Sequence, residues 1–146
     1  MDRTRFLKTC GFGCLGIIGG NAFLGSCAGT KFIDGQLSGS FVEIPRKAFE
    51  MIKKEEIKFR KYVVVQHPEL SYPISVYRFS ESNYVALLMR CTHQGTELQV
   101  FGDRLQCPAH GSEFSNQGAV RNGPADMPLR NFPVIVEKET LKIDLT

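Results

Sequence analysis

Two short knots in the second half of the chain hold the residue types best suited to chemistry. These are Cys91-Thr-His93 and Cys107-Pro-Ala-His110, separated by thirteen residues, with glycine close behind each at Gly95 and Gly111. Each knot offers one thiolate and one imidazole. A zinc finger usually gathers its cysteines in one knuckle and its histidines in the other. A mixed pair in each arm instead suits a two-iron centre, in which one iron takes both sulfurs and the other both nitrogens. A single zinc on the same four side chains is the competing reading. The sequence offers no Ser-His-Asp set, phosphate loop or paired-carboxylate constellation beside them.

The knots must be presented by rigid elements, and the flanking sequence supplies short β-rich runs between turn signals. Strands are expected at 41–44, 62–65, 74–79, 84–89, 98–101, 104–107, 132–136 and 141–145. Leu141, Ile143 and Leu145 alternate with polar residues, and Gly102-Asp103 reads as a tight hairpin turn. Regular short strands of this kind predict an all-β sandwich or barrel. Residues 46–61 are ambiguous: Phe49, Ile52 and Ile57 among Lys and Glu fit one amphipathic helix or a solvated connection. Their charges alternate in sign and are read as a wet surface. His67 is expected in a solvent-facing loop, Tyr62, Tyr72, Tyr77 and Tyr84 as packing residues, and Asp126 with Arg130 as a surface ion pair.

The bulk numbers bound the rest. A chain of 146 residues is too short for two ordinary domains plus a leader. Net charge is +3, and Arg3, Arg5 and Lys8 against Asp2 supply most of it. The remainder is nearly neutral, which gives no reason to invoke nucleic acid. Of five cysteines, Cys10, Cys14 and Cys27 lie in the N-terminal stretch, so Cys91 and Cys107 are the only two in the body of the domain.

Residues 1–8 are basic and 9–30 are uncharged, the pattern of a bacterial secretory signal. Leu24-Gly25-Ser26-Cys27 resembles the lipoprotein processing box. The expected division is a signal peptide over 1–26, a tether over 27–40 lipidated at Cys27, and a folded domain over 41–146. This would hold the domain by a lipid anchor on the periplasmic side of a bacterial membrane. A retained transmembrane helix is the alternative, weakened by seven glycines from Gly11 to Gly29. Arg3-Thr4-Arg5 resembles a twin-arginine export signal, but Thr4 interrupts the arginine pair.

The knots, the run Cys107-Pro-Ala-His110-Gly-Ser112-Glu-Phe114 and the segment Gly123-Pro124-Ala125 together resemble the Rieske [2Fe-2S] family. The resemblance covers roughly residues 41–145. It implies an antiparallel β sandwich or barrel carrying a cluster-binding subdomain of two loops, at about 90–126. It further implies one [2Fe-2S] cluster, with Cys91 and Cys107 on the buried iron and His93 and His110 on the outer one. Ser112 would tune the cluster through a hydrogen bond to sulfur, and Gly123, Pro124 and Ala125 would form the loop that covers it. Thr96 and Ala109 stand where high-potential members carry a loop-pinning disulfide, and Phe114 stands where they carry a tyrosine donor.

The function implied is one-electron transfer in a respiratory-type chain, with proton uptake coupled to reduction at the His93/His110 edge. Implied partners are a quinol, a c-type cytochrome, a cytochrome b-type protein or a molybdenum oxidoreductase subunit. The alternatives are the small iron–sulfur subunit of a larger oxidoreductase complex, either quinol–cytochrome reductase or arsenite-oxidase-like, and a Rieske ferredoxin component of an oxygenase. No autonomous catalytic site is expected.

Overall fold

The computed structural model describes residues 29–146. The expected signal segment, the lipidation site Cys27 and the interrupted arginine motif all lie outside the described residues. Among the described residues, no helix is long and apolar enough to cross a membrane.

The strands in chain order are β1 (Phe32–Asp34), β2 (Gln36–Ser38), β3 (Phe41–Pro45), β4 (Glu50–Lys53) and β5 (Glu56–Phe59). There follow β6 (Tyr62–Gln66), β7 (Ile74–Arg78), β8 (Tyr84–Leu88), β9 (Gln99–Phe101) and β10 (Arg104–Gln106). The last are β11 (Glu113–Ser115), β12 (Val120–Asn122), β13 (Asn131–Phe132), β14 (Val134–Val136) and β15 (Thr140–Asp144). The protein is thus nearly all β, as expected. Its pairings are antiparallel except that β1 lies parallel to β6.

A five-stranded sheet in the order β1-β6-β7-β8-β13 divides the molecule. Side chains of a strand alternate between faces, and β6 and β7 are buried along most of their length. Val63, Val65, Ile74 and Val76 join Val42, Ile44, Leu141 and Ile143 of the sheet β14-β15-β3-β2 in one core. Val64, Tyr77 and Leu87, on the opposite face, join Leu98, Leu105, Phe114 and both cysteines in a second core. That second core lies beneath the sheet β12-β11-β10-β9. The sandwich is therefore one half of the molecule, and the cysteine loops crown the other.

Three sequence expectations are corrected. Residues 32–38, expected within the tether, form β1 and β2, with Ile33 and Leu37 packed against the first core. Residues 46–61 form neither one amphipathic helix nor an irregular connection, although the hairpin they build is as solvent-exposed as expected. They make a 3-10 turn at Arg46–Phe49 that buries Phe49, followed by the β4-β5 hairpin. Ile52 and Ile57 are five residues apart, a spacing that misses a common helix face but makes them cross-strand partners in the hairpin. The turn between them puts Lys54 and Glu55 at positive φ, the two left-handed residues that a type I′ turn demands, without the usual Asn-Gly signal. The single strand expected at 132–136 is split at Pro133 into β13 and β14, which belong to different sheets. Proline has no N–H with which to continue a ladder.

Candidate metal centre

The first knot lies in the loop from β8 to β9, its neck closed by an Arg90–Glu97 bridge and by the Leu98 N–H donating to the Met89 carbonyl at 3.0 Å. The second lies in the turn from β10 to β11. The two loops use the same backbone device. In each, the cysteine N–H donates to a carbonyl five residues on, Thr96 or Ser112, at 2.8 Å. The cysteine carbonyl in turn accepts from the glycine four residues on, at 2.8 Å from Gly95 and 3.0 Å from Gly111. Both glycines sit in the left-handed region, at φ +76° and +78°, which a side chain would strain. Glycine at the fourth position after each cysteine is thus the local reason that the two loops match, although the histidines fall at different offsets.

The arrangement separates sulfur from nitrogen. Cys91 and Cys107 are 2% and 1% exposed and both thiols are free, whereas His93 and His110 are exposed at the loop tips. The two imidazole rings meet edge to face, centroids 4.9 Å apart at 88°. Burial works against ionisation of the Cys107 thiol. Hydrogen bonds from the backbone N–H groups of His110 and Ala109, and from the Cys91 and Thr96 side chains, outweigh it and hold the pKa below the ordinary thiol value.

The loops are held without a disulfide. The Thr92 hydroxyl donates to the Met127 carbonyl at 2.7 Å, tying the first loop to the chain beyond the proline segment. The Tyr72 hydroxyl donates to the Gly95 carbonyl at 2.8 Å, and the Asn122 side-chain amide donates to the Gly111 carbonyl at 3.3 Å. Ser112 is fully buried, and its Oγ accepts the Ala125 N–H at 3.0 Å. Gly123 and Pro124, joined by a cis peptide bond, are exposed, while Ala125 is buried. Phe114 is fully buried in the apolar cluster that contains both cysteines.

Spacing alone concealed several of these residues. Tyr72, read only as a packing residue, supports the first knot from 23 positions away. Nothing in the local sequence marks Thr92 or Asn122 as braces. Arg130 forms no ion pair with Asp126. It donates to the Leu145 carbonyl at 2.9 Å and lies over the Phe132 ring. His67, as expected, belongs to a connecting loop, where its Nδ1 accepts the Glu69 N–H. Beside His93 is an open recess of about 570 Å³, whose walls include Arg90, Thr92, Met127 and Arg130.

Two buried thiols side by side with two exposed imidazoles suit a pair of metal ions with different donor sets. The sorting of two buried thiols from two exposed imidazoles fits a two-iron cluster, in which one iron takes sulfur donors and the other nitrogen.

Comparison with known proteins agrees. The family model of the Rieske [2Fe-2S] domain matches residues 47–133. The cytochrome b6-f complex iron-sulfur subunit 2 of Nostoc sp. (strain PCC 7120) is 34% identical over 61 residues, which cover 40% of this chain and 34% of that protein. The oxygenase component of dicamba O-demethylase from Stenotrophomonas maltophilia is 37% identical over 82 residues, covering 49% of this chain and 24% of that protein. The chain thus spans about a third or less of the length of these curated relatives. Among solved structures, the plasma membrane Rieske protein PetC3 from Synechocystis PCC 6803 shares the fold at a TM-score of 0.50. It is 24% identical, with 57% of this chain and 86% of that one covered. The chain belongs to the Rieske [2Fe-2S] domain family, and it is an electron-transfer domain that binds a [2Fe-2S] cluster.

Proposed function

We propose that Cys91 and Cys107 ligate the inner iron and His93 and His110 the outer iron, in a membrane-anchored one-electron carrier outside the cytoplasm. The observation that carries this reading is the sorting of donors by depth, with both thiols buried and both imidazoles at the surface. When bound, the cluster supplies reversible one-electron chemistry at a potential set by its surroundings. This chain's own residues do the rest. Backbone N–H groups around Cys107 stabilise charge on sulfur, the Thr92 and Tyr72 bonds fix the first loop, and Ser112 joins the second loop to the proline segment. In this reading Ser112 also tunes the cluster, and residues 123–125 cover it. The exposed imidazole edge is where electrons enter and leave, and the recess carrying Arg90 and Arg130 lies next to it. Lipidation at Cys27 anchors the chain to the periplasmic face of the membrane, within a respiratory-type chain whose partner is a quinol or a redox protein such as a c-type cytochrome.

A second reading, as the iron–sulfur subunit of a larger complex, is favoured by the b6-f subunits among the relatives. Purification from membranes under mild detergent separates the two, because a subunit brings its complex with it. The central test is low-temperature EPR of the dithionite-reduced protein with iron and sulfide analysis. A rhombic signal with about two irons per chain is expected for this cluster type. Colourless protein with one zinc would overturn the reading.

A further inference from the structure

Among the described residues, the β4-β5 hairpin carries the two most exposed isoleucines and gathers three exposed large apolar side chains on one element. Ile52 and Ile57, partners across the hairpin, are 84% and 65% exposed, and Phe59 is 46% exposed. Isolated exposed apolar residues need no explanation, but a cluster of them on one projecting element does. Lysines surround it. Residues 46–61 hold seven basic and three acidic side chains, Glu50, Glu55 and Glu56, for a net charge of +4. Only Lys58 is paired among the hairpin lysines, with Glu56 at 3.8 Å, which leaves Lys53 and Lys54 beside Ile52 without an ion pair among the described residues.

The position of the hairpin says what should cover it. Its base is closed by the Arg60 N–H on the Phe49 carbonyl, and Arg78 at the end of β7 lies over the Phe59 ring at 4.1 Å. The described chain begins in the same place. Gly29 shares a cavity of about 290 Å³ with Met51, Phe59 and Tyr62, and the Thr30 hydroxyl bonds the Tyr62 hydroxyl at 3.1 Å. The 28 residues that precede Gly29 include most of the uncharged stretch, and they connect to the domain at Gly29, which lies beside Met51 and Phe59 of the hairpin. The histidine loops lie at the opposite end of the same sheet. The register pairs Tyr62 with Tyr77 and Arg78 with Tyr84 at the hairpin end, and Ile74 with Leu88 at the end that runs on to Cys91. The seven steps from Tyr84 to Cys91 span on the order of 20 Å of extended chain.

We propose that the β4-β5 hairpin is a membrane-surface contact. Ile52, Ile57 and Phe59 enter the interface of an anionic bilayer, flanked by the unpaired Lys53 and Lys54 on lipid phosphates. Apolar side chains bordered by lysines are the composition that such an interface takes up. The His93/His110 edge then faces the aqueous side, so of the partners proposed above it is reached by a redox protein from solution and not by a quinol in the bilayer. This rests on the anchoring proposed above, and its test is arranged to separate the two.

The chain has no tryptophan, so Ile52→Trp and Met127→Trp each install a unique fluorophore, one on the hairpin and one beside His93. Each full-length variant is mixed with vesicles of 70% phosphatidylcholine and 30% phosphatidylglycerol, with and without bromine on the acyl chains. Co-flotation reports attachment, and quenching reports insertion. The expected result is strong bromine quenching of Ile52→Trp and none of Met127→Trp. Adding Ile57→Asp should weaken the Ile52→Trp quenching about tenfold. A chain that floats with Ile52→Trp unquenched overturns the hairpin contact and leaves the anchor standing. Quenching that persists with a chain recovered unlipidated from the soluble fraction supports the contact and overturns the anchor. Absence of both overturns both. Equal quenching at the two positions overturns the orientation. Shielding of Ile52→Trp from iodide in native membranes, without bromine quenching, assigns the hairpin to a protein partner and overturns the lipid contact.

Discussion

The hydroxyl oxygen of Ser112, buried behind the second cysteine loop, accepts the backbone N–H of Ala125 at 3.0 Å. One side chain thereby links a candidate ligand loop to the proline segment, and the N–H it satisfies is otherwise sealed from water. Removing a partner from a buried donor costs more than the bond itself contributes, about 1–3 kcal/mol. Ser112→Ala should therefore lower the thermal midpoint by that equivalent and also displace the reduction potential. A potential unchanged within error, together with a lowered midpoint, would assign Ser112 a structural role only.

Phe114 is fully buried with both cysteines in its apolar cluster, and its ring cannot donate a hydrogen bond. Donors to sulfur favour the reduced, more negative cluster. Phe114→Tyr should raise the potential by roughly 40–90 mV, the one-electron equivalent of a ~1–2 kcal/mol differential bond. Protein-film voltammetry of both forms reads this directly. No shift would mean that the added hydroxyl does not reach sulfur.

Tyr77 presents the opposite case. Its hydroxyl is buried without a hydrogen-bond partner among the described residues. Burial, with smaller contributions from Tyr62 and Asp103, pushes its pKa far above the ordinary phenol value. Tyr77→Phe removes a polar atom that nothing satisfies. It should leave stability unchanged or raise it by about 1–2 kcal/mol in chemical denaturation. A clear loss would reveal a partner for the hydroxyl, such as ordered water.

Thr92 and Tyr72 brace the first loop from different sides, through Met127 and Gly95. Thr92→Val and Tyr72→Phe should each cost ~1 kcal/mol and shorten the time for which the purified protein keeps its visible colour. Because both grip the same loop, the double variant should depart from additivity. Strict additivity in a denaturation cycle would show that the braces act on separate parts of the loop.

How much of this was legible beforehand depended on whether the information was local. The hairpin at Gly102-Asp103 and the strand expected at 141–145 announced themselves through turn chemistry and alternation, and the structure has both, the strand one residue earlier at Thr140–Asp144. The four candidate ligands were likewise marked by residue type and spacing. The β4-β5 hairpin was concealed because its turn uses Lys54 and Glu55 where sequence readers look for Asn or Gly. Strands β1 and β2 were concealed by Gly and Ser, which resemble a linker until Ile33 and Leu37 find the core. The braces were concealed for a different reason. A bond between Tyr72 and Gly95 exists only once β7 and β8 have folded the chain back on itself, and no local pattern records it.

The alternation of Val63, Val64 and Val65 has a mechanical meaning. A strand whose neighbouring side chains serve opposite hydrophobic interiors is a wall that two rooms share, and neither room can be dismantled while the other keeps its wall. The cysteine-bearing half has no independent floor: strip it away and Val64, Tyr77 and Leu87 are left facing water. Bleaching and unfolding should consequently arrive together as one event on heating, without a colourless species that retains an intact sandwich.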